Sequence, residues 1–133
     1  MTSSRPLSTP RIPVSWGDLL DKITILEIKR QRIASAAAQV NIRAELSLLE
    51  EVAAPLLMSQ KEVGHLQSEL KTVNEALWEI EEKIRGKEHA QMFDAEFVAL
   101  ARSVYGRNDE RAALKKKIND VCGSQLVEEK SYR

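Results

Sequence analysis

Val63, Leu66, Leu70, Val73, Leu77, Ile80 and Ile84 follow one another in alternating steps of three and four. Three heptads of this kind draw an apolar seam down one side of a helix. Such a seam is stable only when it lies lengthwise against other helices. The helix is expected to start near Ser59, and its seam from Val63 to Ile84, roughly 22 residues at ~1.5 Å each, gives a rod of about 33 Å. Gly64 is a weak point near its start, and Gly86 marks its expected end or a kink.

The same spacing recurs in shorter stretches. Ser15 is placed as a helix cap, with Asp18 three residues on to answer it in a capping box. Trp16, Leu19, Ile23, Leu26 and Ile33 then form a stripe with Arg30 as its polar step, while Ile25 and Ile28 widen the apolar surface. Asp18 and Asp21 near the start and Lys29, Arg30 and Arg32 near the end complement the helix dipole. A helix so wide in its apolar surface is expected to touch two neighbours and to sit centrally. Ser35 to Val40 shows no stripe and is expected to turn the chain. Ile42, Leu46, Leu49, Ala53 and Leu56 mark a second helix, which Pro55 is expected to end or bend. Phe93, Phe97, Leu100, Ala101 and Val104 form a shorter stripe. Tyr105 to Asp109 reads as a break, with Asn108 or Asp109 capping a last helix that carries Leu114, Ile118 and Val121. Gly123 stands where a left-handed C-terminal cap belongs.

These stripes predict an all-α fold: an antiparallel helical hairpin or three-helix bundle, with two shorter C-terminal helices folded against it. The Pro- and Ser-containing residues 1–14 read as a flexible arm, 15–123 as the helical bundle domain and 124–133 as a polar tail. Composition agrees with long exposed helices. Charged residues are 30% of the 133 and aromatics 5%, a balance that suits neither sheets nor disorder. Twenty cationic and twenty acidic side chains cancel, which argues against a protein that coats nucleic acid. The longest apolar run, Val52 to Met58, is too short to span a bilayer. With a single Cys122 and no secretory pattern, the chain reads as a soluble cytoplasmic protein.

Reactive constellations are scarce. Glu62-Val63-Gly64-His65 fits half of a di-iron carboxylate motif, but His89 has Gly86 where the second glutamate would stand. No metal or other cofactor is therefore expected. Cys122 lies at a helix end whose dipole disfavours a thiolate, and reads as a small apolar filler. Glu79, Glu81, Glu82 and Glu88 are the solvated face of a heptad helix, and nothing singles out an acid and a base among them. Arg107, Arg111 and Lys115 are the candidate anion contacts, Arg111 and Lys115 sharing a face at a spacing of four. Asp109 and Glu110 occupy the helix start that an anion would want, and no aromatic side chain is interleaved, so nucleic acid is an unlikely partner.

Two longer stretches and two shorter ones resemble a known family. Val14-Ser15-Trp16-Gly17-Asp18-Leu19-Leu20-Asp21-Lys22-Ile23-Thr24-Ile25-Leu26-Glu27-Ile28-Lys29 and Asn74-Glu75-Ala76-Leu77-Trp78-Glu79-Ile80-Glu81 are the longer. Asn108-Asp109-Glu110-Arg111 and Glu128-Glu129-Lys130-Ser131-Tyr132 complete the pattern. Together they resemble the uncharacterised bacterial family called domain of unknown function 6165, from about Pro13 to Tyr132. Trp16 departs from the smaller residue expected there. The resemblance implies no established activity, only company with surface-polysaccharide and glycosyltransferase systems.

The expected function is that of a non-enzymatic interaction or accessory module that binds another protein, with a homodimer as one form. Trp78, Asn108, Arg111, Lys115 and Tyr132 are the candidate interaction surface, tryptophan being a common anchor at interfaces. The alternative is a small enzyme or enzyme subunit acting on a phosphorylated or nucleotide-linked sugar. There Arg107, Arg111 and Lys115 would hold phosphate and a carboxylate such as Glu81 would assist.

Overall fold

Three of the four helices start at a side chain that takes up an otherwise unbonded backbone N–H. Ser15 accepts from Asp18, Ser35 from Ala38 and Asp94 from Phe97. The computed structural model describes residues 7–126 and 128–130. In it α1 spans Trp16–Arg32, α2 Ala36–Ser59, α3 Lys61–His89 and α4 Ala95–Cys122. No strand occurs among the described residues, and the all-α class stands. Tyr132 and the rest of 131–133 lie outside the described residues.

The hairpin of α3 and α4 is the frame. Its seam buries Val63, Leu70, Val73 and Leu77 from α3 against Leu114 and Ile118 from α4. Helix α1 lies along this frame, with Gly17 beside Asn119, Asp21 beside Arg111, and Arg32 reaching Glu79. It therefore runs antiparallel to α4 and alongside α3. Helix α2 closes the opposite side of α1, packing Ile42, Leu46 and Ala53 into the core. Only α1 and α3 touch all three other helices, and α2 and α4 do not meet. The expected central position of α1 is thus observed: Leu20, Ile23 and Ile28 are essentially inaccessible.

The ends of α1 are tied on both sides. Its last carbonyls receive the side-chain amide of Gln39, which donates to Arg30 at 3.0 Å and to Ile33 at 2.6 Å. Lys22–Glu45 links it to α2, and Glu27–Lys71 to α3. At the far end of the hairpin no partner helix remains. Beyond Leu77 on α3 and before Leu114 on α4 no side chain is fully buried, so Ile80, Ile84, Phe97, Leu100 and Val104 pack as a two-helix arm. Its turn is fixed by Lys87 against Asp94 and Glu96, and by an edge-to-face contact of Phe93 with Phe97.

Several expected boundaries are corrected. Residues 36–40 are helical, because the Ser35 cap sets the helix going through an alanine run of high propensity. Pro55 does not end α2, which continues to Ser59, and Gly86 lies inside α3, which continues to His89. The two shorter C-terminal helices are one helix of 28 residues, with no break at Tyr105–Asp109. Neither Asn108 nor Asp109 caps anything, and Asp109 and Glu110 stand mid-helix, not at a start. The reason lies in the register. Phe97, Val104, Arg111 and Ile118 recur every seven residues, as do Leu100, Arg107, Leu114 and Val121. Two arginines occupy the seam where apolar residues were sought, so the heptad continues under a polar disguise. Ser15 and Gly123 behave as expected, the latter with φ +63°. Asp18, however, answers Lys115 and not the cap.

Gly106 sits exposed within this continuous helix, and a Cβ there would meet nothing within 4 Å. Gly106→Ala is expected to stabilise the protein by about 0.5–1 kcal/mol, visible as a denaturation midpoint a few degrees higher. A helix interrupted at 105–109 would show no gain.

Candidate functional site

Where the first half of α1 crosses α3 and α4, polar side chains replace the apolar core. Asp21, Thr24, Asn74 and Asn119 are all buried, so each must find its hydrogen bonds within the protein. Asp21 Oδ1 accepts from Arg111 Nε at 2.9 Å and from Asn74 Nδ2 at 2.9 Å, and Oδ2 accepts from Arg111 Nη2. The planar guanidinium thus grips the carboxylate along two parallel bonds, the geometry that makes arginine–carboxylate pairs strong and directional. Asn74 Nδ2 also donates to Thr24 Oγ1 at 2.8 Å, and Thr24 passes its own hydrogen to the Asp21 carbonyl at 2.7 Å. Hydrogen bonding to Asp21 holds the Arg111 guanidinium above its ordinary pKa, against the opposing effect of burial.

One turn earlier on α1, backbone approaches backbone. The Gly17 N–H donates to Asn119 Oδ1 at 2.7 Å. A Cβ on Gly17 would stand 2.6 Å from the Lys115 carbonyl oxygen, so only glycine lets α1 lie this close to α4. The Trp16 N–H donates to Ser124 Oγ at 3.1 Å, which brings the chain beyond α4 back over the start of α1.

That returning segment carries Glu128 to Lys115. Lys115 Nζ lies 2.8 Å from Asp18 Oδ1 and 2.9 Å from Glu128 Oε2, and Lys130 Nζ lies 2.7 Å from Glu128 Oε1. Burial works against the Lys115 charge, but the two carboxylates outweigh it and raise its pKa. Glu128 is pulled from 4.5 to about 2, by Lys130 first and Lys115 second. Asn108, Arg111, Ala112, Lys115, Glu128 and Lys130 line a shallow polar groove of about 280 Å³.

The structure brings together Arg111 and Lys115, with Asn108 on the groove rim. Arg107 lies elsewhere, paired with Glu110 at 3.1 Å in a hollow between α3 and α4 lined also by Glu69 and Thr72. Trp78 is half-buried on α3, its indole N–H donating to Glu82 at 2.8 Å. Glu81 is exposed on the arm and away from the groove. His65 is exposed, and no group of three metal-ligating side chains converges among the described residues. Cys122 packs against the core, its thiol pKa raised by burial. Among the described residues, no helix is long and apolar enough to cross a membrane.

Sequence reasoning missed Asp21, Thr24, Asn74 and Asn119 as partners of the basic face. One signal was present: Gly17, Asp21 and Thr24 share a side of α1 with Leu20 and Ile28, so small and polar residues interrupt an apolar surface there. The partner of Asp21 is 90 residues away, and no local spacing announces it.

A four-helix protein pinned by one buried ionic junction is the class this geometry defines. Residues 10–133 match the profile of a family of unknown function, DUF6165, and the chain belongs to that family. No curated protein and no solved structure matches it. Three of the four strings that carry the resemblance meet at the junction, Asp21 and Thr24 from the first, Asn74 from the second and Arg111 from the third, while Glu128 of the fourth reaches the neighbouring Lys115.

Removing Arg111 leaves the Asp21 carboxylate, only 7% exposed, without its cation. Arg111→Leu is expected to cost about 3 kcal/mol in denaturant unfolding, and Asp21→Asn in that background to recover part of the loss. A loss below ~1 kcal/mol would be that of an ordinary surface pair and would refute the lock. Glu128 gives a pH signature. Its folded pKa is depressed, so its hold on Lys115 is complete above 4.5 and is lost as pH falls towards about 2. Amide NMR shifts of Ser124, Glu129 and Lys130 are expected to move to unstructured values across that window, while those of α1 to α4 move later.

Proposed function

We propose that the chain is a non-catalytic helical interaction module that docks another protein chain on the outward face of α2. The observation that carries this reading is a second apolar stripe on that helix. Ile42, Leu46 and Ala53 face the core, yet Val40, Leu48, Val52 and Met58 remain 69%, 62%, 56% and 86% exposed. Val40, Ala44, Leu48 and Val52 are spaced four apart, and Pro55 and Met58 extend the row. They form one ridge of the kind that fits between the ridges of a neighbouring helix. At on the order of 100 Å² for each large side chain, the strip leaves about 400 Å² of apolar surface in water, a size associated with interaction sites.

The candidate surfaces around Trp78 and Lys115 are already engaged. Trp78 is tied to Glu82, and Lys115 is held between Asp18 and Glu128. The same facts weigh against the alternative of an enzyme or enzyme subunit handling a phosphorylated or nucleotide-linked sugar. Arg111, Lys115 and Lys130 line a groove, but Asp21, Asp18 and Glu128 match them charge for charge. An incoming phosphate would have to displace a carboxylate that is already bound.

A photo-cross-linking side chain at position 48, with position 83 on the exposed side of α3 as control, tests the reading in cells. A discrete protein adduct from position 48 and none from position 83 is expected. Equal or absent cross-linking at the two positions would sink it.

A further inference from the structure

We infer that the chain covering the α2 stripe is a second copy of this protein, crossing antiparallel about a two-fold axis beside Leu48. This deepens the proposed docking function and rests on it. The first argument is charge. Helix α2 holds four charged residues: Arg43, Glu45, Glu50 and Glu51. Glu45 is matched by Lys22 of α1. Arg43, Glu50 and Glu51 make no ion pair among the described residues.

On a helical projection Arg43 and Glu51 lie on the same flank of the Val40–Ala44–Leu48–Val52 ridge. In an antiparallel pair, equal flanks face each other. With the axis between Ser47 and Leu48, Arg43 of one copy stands at nearly the same height as Glu51 of the other, and symmetry makes the pair twice. A parallel two-fold pair would instead put equal flanks on opposite sides of the interface, where Arg43 and Glu51 do not meet. Arg43 and Glu51 are thus complementary to each other across an α2 pair, in one orientation.

The second argument is shape and area. A ridge with steps of four packs into its own counterpart at a crossing of about −50°. Ala44, next to the crossing, is small enough to let the helices close. Two strips together remove on the order of 800 Å² of apolar surface, and the flanking polar residues bring the total to about 1,000 Å², the lower bound for a specific interface. The strip itself is open, its large side chains all more than half exposed.

Sedimentation of the full chain tests this. The wild type is expected to run as a dimer at micromolar concentration, twice its 15.0 kDa. Leu48→Glu, at an exposed position that leaves the core intact, is expected to give a monomer with an unchanged helical circular-dichroism spectrum. Arg43→Glu is expected to weaken the dimer by roughly tenfold or more, and adding Glu51→Arg to restore it. A wild type that stays monomeric, or a dimer indifferent to Leu48→Glu, overturns the inference. Failure of Glu51→Arg to rescue Arg43→Glu overturns the antiparallel crossing. A monomeric wild type that still cross-links from position 48 to a different protein would leave the docking face standing and remove only self-association.

Discussion

The fit of Arg111 to Asp21 governs the arrangement of the bundle. Apolar stripes explain why four helices associate, but an oily seam tolerates sliding by a turn and rotation by a fraction of one. A planar guanidinium on a buried carboxylate does not. With Asn74 on the remaining lone pair and Thr24 behind it, α1, α3 and α4 are held in a single register. The close approach of Gly17 to α4 and the return of Ser124 over Trp16 both depend on that alignment. The junction buys specificity where more hydrophobic packing would supply only adhesion.

The most conspicuous charges on the chain are held by the same tertiary contacts. Both oxygens of Asp21 are occupied, which leaves it unsuited to accept a proton from a substrate. Lys115 stands between two carboxylates, and its pKa is raised, the opposite of what a nucleophilic amine needs. The apolar surface, by contrast, is left unmatched. Helix α2 is the least charged of the four and turns half of its hydrophobic side chains outward. Surface chemistry and internal chemistry are therefore separated: ions fix the inside edge of α1, and oil faces the solvent on α2.

The architecture was legible wherever apolar spacing was unbroken. The α3 seam, the Ser15 cap, the Gly123 cap and the central place of α1 all follow from residues within one or two turns of each other. Helix α4 was misread because Arg107 and Arg111 hold seam positions, and a pattern search takes an arginine in a seam for an interruption. Arg111 belongs there only because Asp21, from the other end of the chain, is waiting for it. The basic face of Arg111 and Lys115 was legible from their spacing of four. That both are internally neutralised was not, since Asp18, Asp21 and Glu128 approach through tertiary structure. The outward stripe of α2 was present in the sequence too, but it was hidden beside the inward one, which has the same step and the same residue types.

The central position of α1 has a kinetic side. It leaves the ribosome before the other three helices, yet several of its polar partners sit 90 to 108 residues later, at Arg111, Asn119 and Ser124. The α3–α4 hairpin can zip through its own five-residue connection, whereas α1 must wait for a loop closure spanning most of the chain. During synthesis α2 can cover one side of α1 early, while the side that faces α3 and α4 stays open until those helices are made. That interval is where a chaperone would find it.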